Sequence, residues 1–433
     1  MDDFDISALL LYLLSALLVQ CYWLRRHIFG VFDPLLYFVV SSAFAITLSA
    51  LTVDSPLVLW RIIIYFMCFW AGFTVTCWKA PSPLPARTIP AGNIDFFVRL
   101  VLVGAVAMII LNTIGWISRG IPLLSDNPSL EKVDSLTGGL GFIRRFNWGV
   151  GVFVLIGSLY WFLAMRSVAS VAVMVLVCFM TALGGSKASL LPILFAAGLY
   201  TTRPFQSKKI TGFSRQLHRA FPVIGLVVIV PVFAVLLVEN EGLEQALNSL
   251  VIRLLYFGDV VLYWGQQDVR NTFAALGPLD YPGHLLNGIT GFLRITGYDM
   301  PLGTTMVNAT LNRYAEFDSA IGPNTPFYVK GEVFFGPFAA PLYAFGIGAL
   351  FKWVRVQFFR YSGHSLTRYS VLATVVVLAG ALPIEDSLFV VQLFDFAVFF
   401  LLIYLMTSGI DTLWPRASRI PGSKSKDLSR ASG

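Results

Sequence analysis

Apolar runs of about twenty residues recur along the chain, and few folds tolerate such runs outside a lipid bilayer. We read roughly eleven of them: Ile6–Leu24, Pro34–Val53, Leu57–Trp78, Phe96–Ile117, Trp148–Ala164, Val168–Leu183, Ser189–Tyr200, Phe221–Val238, Glu332–Phe351, Ser370–Leu382 and Leu388–Leu405. The seventh and tenth are short for a full crossing. Of the 433 residues, 57% are hydrophobic and 13% charged, which excludes a soluble domain of this length and predicts an all-α polytopic membrane protein. The acidic start Asp2-Asp3-Phe4-Asp5 is the reverse of a signal peptide's basic start, so the first run is expected to be a retained helix.

The net charge of +7 does not point to nucleic acid, because Lys and Arg sit in short blocks between apolar runs. Arg25-Arg26, Lys79 with Arg87, the segment Thr201–Arg219, the segment Lys352–Arg368 and the tail after Pro415 carry these blocks. With eleven spans they all fall on one face, expected to be cytoplasmic by the positive-inside rule. The N-terminus, Asp54 and Glu385-Asp386 then fall on the opposite, periplasmic face. The tail 408–433 is basic and Ser-rich, with a disordered composition. The cysteines Cys21, Cys68, Cys77 and Cys178 lie in or at the ends of apolar runs and form no CxxC pair, so they read as small buried hydrophobes.

Two polar segments interrupt the apolar chain on the outer face. One is an outer loop over 118–147; the other is the long segment Glu239–Gly331, expected to be a large periplasmic loop. They divide the chain into a membrane domain over 1–238, the loop over 239–331 and a second membrane domain over 332–407. Within the loop, Leu243–Gln267 has helical periodicity, with Arg253, Tyr256, Asp259, Tyr263 and Gln267 on one face and apolar residues on the other. An amphipathic helix at the membrane surface is expected there. Gly, Pro and Asn crowd the chain from Gly277 to Pro326, which predicts an irregular loop with short helices.

The loop joins permanently charged arginines, Arg253, Arg270, Arg294 and Arg313, to aromatic side chains that include Tyr256 and Tyr263. A guanidinium fork suits phosphate oxygens, and aromatic faces suit sugar rings. The alternative is an interfacial aromatic belt with arginines on loop acids or lipid headgroups. Lys187, at the turn Gly184-Gly185-Ser186-Lys187, either snorkels to headgroups or projects a cation into a cavity between helices. Lys132 and Arg145 belong to the first outer segment, which is either a structured loop or a second wall of one cavity. For a general base, His284 comes first, then Glu332 and Asp259; each also has a plain structural reading, as a backbone-bonded loop residue or a helix N-terminal acid. His284 has no second His or Cys at ligand spacing, so no metal site is expected. No P-loop pattern occurs.

Three motifs then fall in order. Gly120-Ile121-Pro122-Leu123-Leu124-Ser125 resembles the outer-loop signature of the bacterial O-antigen and oligosaccharide repeat-unit polymerases, the Wzy type. Gly184-Gly185-Ser186-Lys187 resembles that family's small-residue turn, which more usually ends in Arg. Gly331-Glu332-Val333-Phe334-Phe335-Gly336-Pro337 resembles its E-x-x-F-G segment opening a late span. The resemblance spans roughly residues 115–350. It implies a GT-C-like integral-membrane glycosyltransferase that joins undecaprenyl-diphosphate-linked oligosaccharides, donor to acceptor, on the outer face of the inner membrane, inverting and without metal, nucleotide or other cofactor. A chain-length regulator and a flippase are the partners it implies. Its close rival is an O-antigen ligase, which passes the glycan to lipid A core. A second rival, a lipid-linked oligosaccharide flippase or transporter, fits less well, because the middles of the runs are almost free of charge.

Overall fold

A computed structural model of the chain describes residues 6–53, 55–75, 91–125, 140–184, 191–202, 258–297, 299–311, 323–361 and 365–413. These residues form helices and connections, with no strand among them. We number the helices α1 (Ile6–Leu24), α2 (Pro34–Thr52), α3 (Pro56–Val75), α4 (Ala91–Arg119), α5 (Gly141–Met165, with a π turn at Asn147–Gly151), α6 (Val168–Leu183) and α7 (Leu191–Thr202). Beyond the undescribed stretch come α8 (Val260–Trp264), α9 (Gln267–Thr272), α10 (Tyr281–Phe292), α11 (Leu302–Leu311), α12 (Phe327–Arg360), α13 (Leu366–Leu378) and α14 (Asp386–Leu413).

Seven of the described helices are long and apolar enough to cross a membrane: α1 to α5, α12 and α14. Helices α6, α7 and the α13 region (Leu366–Ala381) are apolar but shorter. The chain is therefore an all-helical, polytopic membrane protein. Every expected span but one falls on a described helix; the eighth, Phe221–Val238, lies outside the described residues, and so does most of the expected surface helix Leu243–Gln267. The described part of that helix stops at Trp264, and α9 starts afresh at Gln267 after a turn at Gly265-Gln266. The ninth span starts at Phe327, five residues before the expected Glu332, because Phe327, Tyr328 and Val329 extend the apolar run and bury themselves against α3.

Helix α12 and α3 form the tightest crossing. A β-carbon on Gly72 would meet the Phe345 carbonyl oxygen at 2.0 Å, and one on Gly348 would meet that of Phe69 at 2.0 Å. The paired glycines bring the backbones together, the usual device of helices that gain little from apolar burial in lipid. Phe69 stacks on Phe327 at 4.8 Å and closes the upper part of the seam.

At one end of the bundle, Asp33 caps α2. It accepts from Leu35 N at 2.8 Å, with Pro34 at the first helical position, where its missing N–H costs nothing. The same carboxylate takes both guanidinium nitrogens of Arg355, at 2.6 and 3.0 Å. Beside it, burial and the cations Lys352 and Arg355 push His27 down to about 4, so its neutral Nδ1 accepts from Lys352 Nζ at 3.0 Å. At the other end, the start of α3, the first turns of α12 and α14, and the segment 258–297 meet.

The crossing makes a direct prediction. Gly348→Val is expected to lower stability by about 1–3 kcal/mol or more, seen as a lower thermal transition of the purified protein in detergent. Gly346→Ala, where a β-carbon meets nothing within 4 Å, is expected to leave the transition unchanged. Equal behaviour of the two variants would contradict the close crossing.

Candidate functional site

Helix α12 is broken inside its run. Gly336 has φ 70° and ψ 172°, a left-handed conformation that only glycine enters without penalty, and Pro337 follows. Proline disfavours a helical residue before it and suits the first position of the next helix. The dipeptide thus splits α12 into residues 327–335 and 337–360. Pro341 lacks the N–H that would bond the carbonyl of Pro337, and the Tyr65 hydroxyl of α3 lies 3.4 Å from that carbonyl.

Glu332 stands one turn before the break and is buried. Its Oε1 pairs with Arg61 Nη1 at 2.8 Å and lies 3.2 Å from the Tyr65 hydroxyl; its Oε2 accepts from Trp264 Nε1 at 2.7 Å. The carboxylate is held by donors from α3 and α8. These contacts let Glu332 fix the position of the Arg61 guanidinium.

A cavity of about 280 Å³ opens at the break, lined by Arg61, Trp264, Arg270, Phe273, Glu332 and Gly336 among others. The Arg270 side chain, in the last turn of α9, donates to the Gly265 carbonyl at 3.3 Å. The Nε atoms of Arg61 and Arg270 are buried, with no hydrogen-bond partner among the described residues. Among the described residues, two guanidinium groups and one carboxylate line this space, and the two Nε–H groups have no partner. That is the chemistry that receives a phosphate or diphosphate. Its volume lies just under the ~300–1,000 Å³ of small-molecule pockets, which suits a headgroup rather than an oligosaccharide.

Next to the cavity lies a closed ionic cluster. Lys330 is fully buried and pairs with both Glu385 and Asp386. Asp386 also accepts from the Tyr281 hydroxyl at 2.6 Å and the Tyr343 hydroxyl at 2.5 Å. Glu385 accepts from Thr325 N at 2.7 Å. This network ties α10, α12 and α14 together and leaves little unused hydrogen-bonding capacity.

His284 sits on the cluster's side, with its ring 5.2 Å from that of Phe334, and is not among the cavity's lining residues. Burial and the nearby Lys330 cation push its pKa down, so the imidazole is neutral near pH 7. Its Nε2 is buried with no partner among the described residues. Asp259 precedes α8, the helix that carries Trp264. Burial raises its carboxyl to about 7, against the pull of backbone N–H groups.

The remaining expected residues separate. Arg145 is buried, with Nε on both oxygens of Asp395 (2.8 and 3.0 Å), Nη1 on the Gly288 carbonyl (2.9 Å) and its guanidinium 4.0 Å over the Phe292 ring. It braces α5, α10 and α14. Arg294 is exposed and left-handed (φ 57°), ending α10. Tyr263 is half-buried against the apolar core. Arg253, Tyr256, Arg313, Lys132 and Lys187 lie outside the described residues. The structure thus brings Arg270 and Glu332 together, with His284 and Asp259 elsewhere at the same end.

Sequence reasoning missed Arg61, Tyr65 and the Lys330 cluster. Arg61 carried a readable signal, since a cation inside an apolar run is a functional candidate by default. No protein-family model matches the chain, and neither does any curated protein or solved structure at a significant level.

Asp259 yields a pH prediction. Its folded value of about 7 stands above the ordinary 3.8, so its contribution to stability is full below about pH 4 and is lost as pH rises through 7. Asp259→Asn is expected to gain thermal stability relative to the native chain between pH 5 and 8. Parallel melting profiles across that range would contradict the raised value.

Proposed function

We propose that this protein is an integral-membrane glycosyltransferase that polymerises undecaprenyl-diphosphate-linked oligosaccharide repeat units into surface polysaccharide. The observation that carries the proposal is the cavity at the α12 break, where Arg61 and Arg270 offer unused donors next to Glu332. The three ordered motifs support the same reading, and the third of them, Gly331 to Pro337, holds Glu332 and the break itself.

In this reading the donor's diphosphate enters the cavity and its prenyl chain stays in lipid. The bond from the anomeric carbon to the diphosphate oxygen breaks, and negative charge grows on the departing diphosphate. Fixed guanidinium groups stabilise that charge, which takes the place of a strong general acid. The acceptor hydroxyl attacks the anomeric carbon from the opposite side, a new glycosidic bond forms, and the configuration inverts. The hydroxyl proton goes to a base, for which the neutral His284 imidazole and the ionised carboxylates of Asp259 and Glu332 are the candidates. Undecaprenyl diphosphate leaves as the second product. In this reading the positive-inside rule assigns the Arg355 end of the bundle to the cytoplasm, and the cavity opens on the outer face of the bacterial inner membrane.

Arg270→Ala is expected to reduce extension of a purified lipid-diphosphate oligosaccharide by about 100-fold or more with protein level and thermal transition preserved, and Arg61→Ala to reduce it as much while also lowering the thermal transition, because it takes the ion-pair partner from the buried Glu332 carboxylate. Lysine at either position restores charge but not the planar fork and is expected to recover only part of the rate. Native chain lengths from both alanine variants would refute the assignment.

A further inference from the structure

Helix α10 is one of the short helices expected in the polar segment, and it runs alongside a membrane-spanning helix. Tyr281, its first residue, bonds Asp386, the first residue of α14. Two turns on, a β-carbon at Gly288 would stand 2.6 Å from Val391 Cγ2. The Gly288 carbonyl and the Phe292 ring then share Arg145, which bonds Asp395. Helix α10 therefore descends parallel to α14 from residue 386 to 395, which at 1.5 Å per residue is a depth of roughly 13 Å.

The tip of this descent exposes Leu286, Phe292 (whose ring packs on Arg145), Leu293 (49% exposed) and Ile295 (69% exposed), alongside the polar Arg294, Thr296 and Asp299. On α14, Val391 lies under α10, while Val398 and Leu405, seven and fourteen residues further along the same helix face, are exposed at 37% and 57%. The exposed tip of α10 thus continues a lipid-facing stripe of α14. The tip's backbone is closed on itself as well. Arg294, left-handed, donates to the Gly291 carbonyl at 3.1 Å, and Ile295 N donates to that of Thr290 at 2.9 Å. The Asn287 amide brackets Asp299, donating to its carbonyl at 2.8 Å and accepting from its N–H at 3.1 Å. Backbone at membrane depth has to be satisfied in this way.

We infer that residues 281–295 form a re-entrant membrane element whose exposed face, Leu286, Phe292, Leu293 and Ile295, is covered by acyl chains of the bilayer. Arg294 reaches back along its own stem to the headgroups. The element sets the depth of the cavity end of the bundle, independently of any reaction carried out there.

The test uses the full-length chain with Cys21, Cys68, Cys77 and Cys178 replaced by serine. A single cysteine is introduced as Leu293→Cys or Ile295→Cys, nitroxide-labelled and reconstituted in phosphatidylethanolamine–phosphatidylglycerol vesicles. Val398→Cys serves as the lipid reference and Asp268→Cys as the aqueous one. At 293 and 295, relaxation by oxygen is expected to exceed relaxation by a water-soluble nickel chelate severalfold, as at 398 and opposite to 268. Chelate-dominated relaxation at both positions would place the tip in water and overturn the inference. Protection from both reagents would place it under protein and overturn it equally.

Discussion

A helix in lipid has to satisfy its own backbone, and the structure turns on the one described spanning helix that gives this up part-way. The Gly336-Pro337 break interrupts α12 beside α3, and the structure supplies what the break removes. Tyr65 reaches the carbonyl that Pro341 leaves without a partner. Glu332 is drawn into a set of donors from α3 and α8, and the space opened by the kink becomes the Arg61–Arg270 cavity. The close glycine crossing further down α12 keeps the two helices in contact so that a kink opens a cavity rather than a gap.

Buried charge follows the same logic. Arg355 with Asp33 and Arg145 with Asp395 are paired one to one, and Lys330 is shared between Glu385 and Asp386. Such pairs repay little of their desolvation as net stability, but breaking one strands a charge at a cost of about 3–5 kcal/mol. They act as registers that hold α2, α5, α10, α12 and α14 in place. In the cavity, Arg61 and Arg270 line the space with the Glu332 carboxylate, and the Nε of each is buried with no partner among the described residues, as is Nη2 of Arg145 in its pair with Asp395.

Much of this was legible in the sequence. Twenty-residue apolar runs gave the helices, and the Gly331–Pro337 motif pointed at the region of the cavity. Glu332 and Arg270 were picked out by residue type. Their relation was not legible, since a pair such as Arg145–Asp395 joins residues 250 apart and Arg355–Asp33 joins residues 322 apart, and no local pattern encodes that proximity. Arg61 was hidden by the run that carries it, which reads as apolar despite one cation. The Gly, Pro and Asn content of 277–326 predicts a loop with short helices, and α10 is one of them; its packing against α14 is not legible in that composition.

The most direct measurement of the central claim is an electron-cryomicroscopy map of the protein in nanodiscs with a lipid-diphosphate oligosaccharide bound. Diphosphate density between the Arg61 and Arg270 guanidinium groups, with Glu332 still holding Arg61, is the predicted result. Diphosphate density at another site, with the cavity at the Gly336 break empty, would contradict it.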